Sequence, residues 1–170
     1  AAVECIEVVV PMSSALIQKY IYASAKEQFR MAAVNPGKIE AAARIAQAHP
    51  GAPILVIGQY IDQLEQLAES LQAPLITGKT PQRIRNELYT GFNEGRLQML
   101  VVSKVANFAV NLPDASVAIE VSGAYGSRQE EAQRLGRILR PKPGENKAYF
   151  YTLVSGTAGS RTSPCAGGCS

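Results

Sequence analysis

The chain has 170 residues, 46% of them apolar, which is the size of one ordinary domain with a buried core. Its formal charge of +3 is too small to establish nucleic-acid binding by itself. No stretch approaches the roughly 18 consecutive apolar residues of a membrane span, and "AAVECIEVVVPM" lacks the basic head and cleavage site of a signal peptide. A cytoplasmic protein without a membrane partner is therefore the expectation.

In chain order, "VECIEVVV" reads as a strand, stopped by Pro11 and followed by Ser13 and Ser14 as N-caps. "ALIQKYIYASAKEQFRMAAV" then carries apolar residues at helical spacing, and "GKIEAAARIAQAH" is a second helix bounded by Pro36-Gly37 and Pro50-Gly51. From Pro53 short, continuously apolar runs ("PILVIG", "APLIT", "LQMLVVS", "SVAIEVS", "KAYFYTLV") are separated by amphipathic ones ("QYIDQLEQLAESL", "PQRIRNELYTGFNEG", "SRQEEAQRLGRILR"). Uninterrupted apolar strands alternating with helices predict an α/β fold, an open parallel sheet of about five strands covered on both faces. In such sheets the working loops lie beyond the carboxyl ends of the strands. The last sixteen residues, "SGTAGSRTSPCAGGCS", have no periodicity and read as a disordered or non-native tail. Cys5, Cys165 and Cys169 show neither a disulfide framework nor zinc spacing and read as incidental thiols.

"LITGKT" (Leu75 to Thr80) ends like a phosphate-binding P-loop, G-x-x-x-x-G-K-[ST]. The required first glycine is Ala73, however, and Pro74 removes a backbone N–H that such a loop would aim at phosphate. No apolar strand ends in the acidic residue that would orient Mg²⁺; Glu120 lies inside its run. ATP is therefore not expected here. Thr80 as an N-cap with Pro81 at the first helical position, beside Lys79, makes either a modest anion site for one backbone phosphate or an ordinary capped helix with a solvated lysine.

The one basic cluster runs from Ser127 to Lys147, where six basic residues (Arg128, Arg134, Arg137, Arg140, Lys142, Lys147) face three acidic ones (Glu130, Glu131, Glu145). Wound as a helix, "SRQEEAQRLGRILRPK" puts Ala132, Leu135, Ile138 and Leu139 on one face and Gln133, Arg137 and Arg140 on the other. A merely solvated face predicts carboxylates three or four residues away. Glu130 supplies one to Arg134, but Arg137 and Arg140 have none at those offsets. Such arginines suit an anion arriving from elsewhere, and a planar guanidinium matches phosphate oxygens. Gly136 costs about 1 kcal/mol in a helix interior relative to alanine, consistent with something close to the backbone there.

"QRLGRILR" (Gln133 to Arg140) resembles helicase motif VI, Q/H-R-x-G-R-x-x-R, of superfamily 2, and "GSRQEEAQRLGRILRPK" is similar to its form in the XPB-type DNA repair helicases. "ILVIGQYIDQLEQLA" resembles motif IV with its helix, "ITGKTPQRIRNELYTGFNEG" the I-x-G-x-T-x-x-x-R segment, and "LVVSKVANFAVNLPDASVAIEVSG" motif V. "VECIEVVVPMS" with "AAVNPGK" resembles the lead-in from a first motor domain. The resemblance spans residues 3 to 154. It implies a lead-in over 1–35, a RecA-like helicase C-terminal domain over 36–154 and the tail at 155–170.

The resemblance further implies the second of two motor domains in an ATP-dependent 3′-to-5′ DNA helicase or translocase. ATP and Mg²⁺ would be held mainly by a first domain, outside these residues, that carries the P-loop and the Asp-Glu metal motif. This chain alone would not hydrolyse ATP. Arg137 and Arg140 take the place of arginine fingers, with Gln133 in support and Arg134 in a supporting or structural role. Asn111, where the family usually has Asp before Leu-Pro, takes the nucleotide end of motif V, with a ribose or arginine contact weakened by the lost charge. Thr80, Lys79, Ser103 and Lys104 take DNA-backbone positions. The implied partners are DNA, the first motor domain and a repair nuclease. Rival readings are another superfamily 2 motor, such as a restriction-enzyme subunit or a UvrB-like protein, and a non-catalytic phosphate- or DNA-binding module. A Rossmann oxidoreductase is disfavoured because no G-x-G-x-x-G follows a strand.

Overall fold

The computed structural model describes residues 2–104, 112–122 and 133–156, with the backbone alone of residues 161–164. The first strand, β1 (Ala2–Val10), alternates buried and more exposed residues. The apolar run that follows is two helices, where its spacing suggested one: α1 (Ser14–Ile21), capped by Ser13, and α2 (Ala25–Ala33). The break has a local cause. Ser24 and Glu27 form a capping box, each side chain bonded to the other's backbone N–H, and this starts a new helix.

Asn35 then pins the chain, donating to the carbonyls of Val10 and Pro11 and accepting from Gly37 N. A β-carbon on Gly37 would lie 2.9 Å from Val10 Cγ1, so only glycine lets α3 (Gly37–Ala48) sit this close to β1. The wholly buried β2 (Ile54–Gly58) leads to α4 (Ile61–Leu71), which turns Leu64, Leu67 and Leu71 inward. Next come β3 (Leu75–Ile76), α5 (Gln82–Asn93), β4 (Met99–Ser103), β5 (Val117–Glu120) and β6 (Lys147–Ser155).

The sheet order is β3-β4-β2-β5-β6-β1, all parallel, with β7 (Arg161–Pro164) antiparallel on the outer edge of β1. This is the expected open parallel sheet, with six parallel strands. Alternate strand residues feed two cores. One joins Leu55, Ile57, Leu100, Val102 and Phe150 to Tyr89 and Phe92 of α5 and to Leu135 and Leu139. The other joins Ile54, Val56, Val101, Val117 and Ile119 to α3 and α4 through Ala42, Ile45, Leu64 and Leu67. Helices therefore cover both faces, as the continuous apolar strands require.

The tail departs from its composition at 161–164, where backbone pairing with β1 sets Ser163 opposite Cys5. Cys5 is itself disulfide-bonded, so it is not the incidental thiol expected; its partner lies outside the described residues. Among the described residues no helix is long and apolar enough to cross a membrane.

Candidate functional site

The carboxyl ends of β3 and β4 gather four of the polar groups singled out above, Lys79, Thr80, Ser103 and Lys104. After β3, Thr80 N donates to Thr77 O (3.1 Å) and Thr80 Oγ1 accepts from Thr77 N (2.9 Å), closing a tight turn. Lys79 N donates to Thr77 Oγ1, Arg85 reaches back from α5 to Thr77 O, and the Lys79 side chain stands in solvent. Thr80 thus closes a turn instead of capping a helix: α5 begins at Gln82 with Pro81 as its cap residue, without a side-chain cap bond. A threonine hydroxyl that accepts one bond keeps its own O–H to donate, and Thr80 can still offer it to an oxygen.

At the end of β4, Ser103 is buried, while the backbone N–H of Lys104 donates to Gly58 O at the end of β2 (2.8 Å). The Lys104 ammonium lies 3.0 Å from Glu120 Oε2 at the end of β5. Glu120 is fully buried, and its other oxygen accepts from both the backbone N–H (3.1 Å) and the hydroxyl (3.0 Å) of Ser122. Ser122 Oγ in turn accepts from Gln59 N (3.0 Å). A second buried ammonium, on Lys38, donates to Val121 O and Ala33 O. Burial pushes its pKa down to about 8, against the pull of the Glu120 charge. A carboxylate so enclosed is tolerable only because cations and N–H or O–H donors surround it.

The arginine segment is built differently from the regular helix expected. Gln133, Arg134 and Leu135 are helical, but Gly136 to Ile138 form a turn and Leu139 makes a parallel bridge to Ala115. Ala115 N donates to Ile138 O, and Arg140 N donates to Ala115 O. The weak helix position at Gly136 and the pull of this ladder end the helix early. A single helical face through Gln133, Arg137 and Arg140 is therefore not formed. The apolar half of the expectation holds: Leu135 and Leu139 are buried, with Ile138 packed beside them. Arg137 and Arg140 are exposed, and among the described residues neither has a carboxylate at ion-pair distance. Arg140 Nη1 rests instead on the carbonyl of Leu139 (3.1 Å).

The candidate residues therefore fall into two groups. Lys79, Thr80, Ser103 and Lys104 belong to the carboxyl ends of β3 and β4, whereas Arg140 is hydrogen-bonded to Ala115, just before the amino end of β5. Along the strand the spacing from Ala115 to Glu120 is about 17 Å at roughly 3.3 Å per residue. Asn111 and Glu130, the expected partner of Arg134, lie outside the described residues. The Lys38–Glu120–Ser122 cluster escaped the sequence reading. Its available signal was the lone acidic residue in the otherwise apolar run "SVAIEVS".

The architecture is that of the RecA-like C-terminal domain of superfamily 2 helicases and translocases. The C-terminal domain of a Sulfolobus solfataricus SWI2/SNF2 ATPase superposes with a TM-score of 0.59 at 14% identity, covering 90% of this chain and 79% of that one. The C-terminal domain of the DEAD-box protein Dbp5 gives 0.57 at 15% identity over 70% of each chain. Sequence narrows the class further. Residues 1–160 match the ERCC3/RAD25/XPB C-terminal helicase family, and the chain belongs to that family. It is 49% identical over 155 residues to the DNA 3′-5′ helicase XPB of Kineococcus radiotolerans and 47% identical over the same length to that of Mycobacterium tuberculosis; each match covers 91% of this chain and 28% of the relative. The yeast TFIIH helicase/translocase subunit XPB/SSL2 is 36% identical over 161 residues, 91% of this chain and 19% of that protein. The chain thus spans about a quarter of the length of the bacterial relatives. This match favours the XPB type over a restriction-enzyme subunit or a UvrB-like motor.

Proposed function

We propose that the chain is the second motor domain of an ATP-dependent 3′-to-5′ DNA helicase or translocase of the XPB type. The observation that carries the reading is the pair of exposed guanidiniums, Arg137 and Arg140, on a segment anchored by buried Leu135 and Leu139 and without a carboxylate partner among the described residues. An anchored, uncompensated arginine pair is suited to meet the γ-phosphate of an ATP held by another domain and to stabilise the charge that builds there during transfer to water. Gln133 and Arg134 support the pair, and Asn111 contributes at the nucleotide edge. Among the described residues no group of three His, Cys, Asp or Glu side chains could hold a metal ion. Mg²⁺ would sit on carboxylates of the first motor domain, the intramolecular partner.

At the other end of the sheet, Lys79, the Thr80 hydroxyl and Lys104 hold successive backbone phosphates of a DNA strand. Ser103 precedes Lys104 at the end of β4 and is buried. A repair nuclease is a further partner of the whole protein. The test is DNA-dependent ATP hydrolysis by the full-length protein. DNA should stimulate turnover, with a half-saturating DNA concentration that rises steeply with salt as counterions compete. DNA binding without any turnover would instead support a non-catalytic binding module.

A further inference from the structure

The chain that follows Arg140 has little freedom. Pro141 and Pro143 fix φ on either side of Lys142, and each disfavours a helical conformation in the residue before it. Lys142 to Glu145 then close a tight turn. Glu145 N donates to Lys142 O (2.9 Å), and Gly144 in third place has φ 89°, which with Pro143 in second place is the pattern of a type II turn. From this stiff backbone the half-buried Lys142 side chain crosses to the end of α3, where its Nζ donates to Pro50 O (3.1 Å). The position suits a cation, because the helix dipole leaves negative charge at a carboxyl end. On its other side the same segment is held by the ladder to Ala115, whose N–H donates to Ile138 O (3.0 Å) and whose carbonyl accepts from Arg140 N (2.9 Å). Arg140 makes the last bond of that ladder, since Pro141 has no N–H to continue it. Arg140 therefore stands between two tertiary anchors, one at its own N–H and one two residues further on.

We propose that Lys142 is a positioning residue for Arg140. This rests on the functional reading above, in which Arg140 meets the transferring phosphate. An isolated bridge at Leu139 fixes where the chain lies but not the direction in which it leaves. The bond from Lys142 to Pro50 sets that direction, and the short proline-stiffened link carries it back to the Arg140 backbone and the root of its side chain. Lys142 touches neither nucleotide nor DNA; its ammonium is directed at α3, and it acts through Arg140.

Lys142→Met keeps the length and the apolar stem of the side chain but removes the donor, whereas Lys142→Arg keeps a charged donor. In the full-length protein at saturating DNA, Lys142→Met should lower kcat about tenfold, the effect of a displaced catalytic group. The KM for ATP should stay close to wild type, and Lys142→Arg should recover most of the loss. Added to Arg140→Ala, Lys142→Met should cost nothing further, because it acts through that arginine. The slope of log DNA affinity against log salt should not change, since this lysine neutralises no DNA phosphate. Hydrogen exchange in the same full-length protein gives a readout independent of catalysis: the Arg140 amide should exchange about tenfold faster in Lys142→Met, while the amides of β5 keep their wild-type protection. Wild-type kcat or wild-type Arg140 exchange in Lys142→Met, multiplicative losses in the double variant, or a reduced salt slope would overturn the assignment. Full turnover in Arg140→Ala would instead count against the finger reading itself, and the exchange measurement would still decide whether Lys142 holds the segment.

Discussion

Lys38 Nζ donates 2.7 Å to the carbonyl of Val121 with no part of the residue exposed to solvent, so a charged group from the first turn of α3 braces the end of β5. Burial lowers its pKa from 10.5 to about 8, opposed by Glu120. Between those two values the unfolded chain holds the proton and the folded chain does not, so stability rises with pH across that window. The difference corresponds to about 3 kcal/mol at most. Urea unfolding at pH 7 and pH 9.5 should show the rise in the wild type and none in Lys38→Met; parallel behaviour of the two would rule out a lowered Lys38 pKa.

Gly58 stands where β2 ends against α4. A β-carbon there would meet Val121 Cγ2 at 2.7 Å and Leu64 Cδ2 at 2.8 Å, both packed core atoms. Gly58→Ala should therefore destabilise the fold by about 1–3 kcal/mol, read as a lower urea midpoint with an unchanged m-value.

His49 Nε2 lies 2.6 Å from Tyr151 Oη, with the Tyr149 ring packed against it. Burial lowers the His49 pKa, Glu145 opposes that and Lys142 adds to it. Because the folded-state pKa is depressed, the contribution is whole above the unfolded value near 6.5 and is lost as pH falls from there through the folded value. Replacing His49 by Phe should flatten the decline of Tm between pH 6.5 and pH 5; an unchanged decline would place the acid sensitivity elsewhere.

Lys79 and Thr80 share one turn but should fail differently. Lys79→Ala removes an exposed charge and should reduce the salt slope of DNA binding by about 0.9. Thr80→Val removes a hydroxyl and the Thr77 contact, and should weaken binding with that slope unchanged. Affinities measured by anisotropy across a salt series separate the two, and equal slope changes in both would contradict the assignment.

The parallel sheet was legible because β2, β4 and β5 are continuous apolar runs, a pattern that only burial on both faces explains. The Leu135 and Leu139 anchor was legible from its spacing. The form of the arginine segment was not, because the ladder to Ala115 is a tertiary contact between residues 24 positions apart, and it overrides the helical period after Gly136. Likewise, the break between α1 and α2 turns on a Ser24–Glu27 capping box, which is visible in the letters but outweighed there by the surrounding apolar period. The pairing of Lys104 with Glu120 needs β2 between β4 and β5, and strand order is set by packing, not by local pattern.

The arginine assignment stands or falls on one comparison. Steady-state ATP hydrolysis by the full-length protein, at saturating DNA, is measured for wild type and Arg140→Ala. A group that acts on the transferring phosphate should cost about a thousandfold in kcat and leave the KM for ATP nearly unchanged. Turnover retained in the variant, or a loss confined to KM, would contradict the role of Arg140 as an arginine finger.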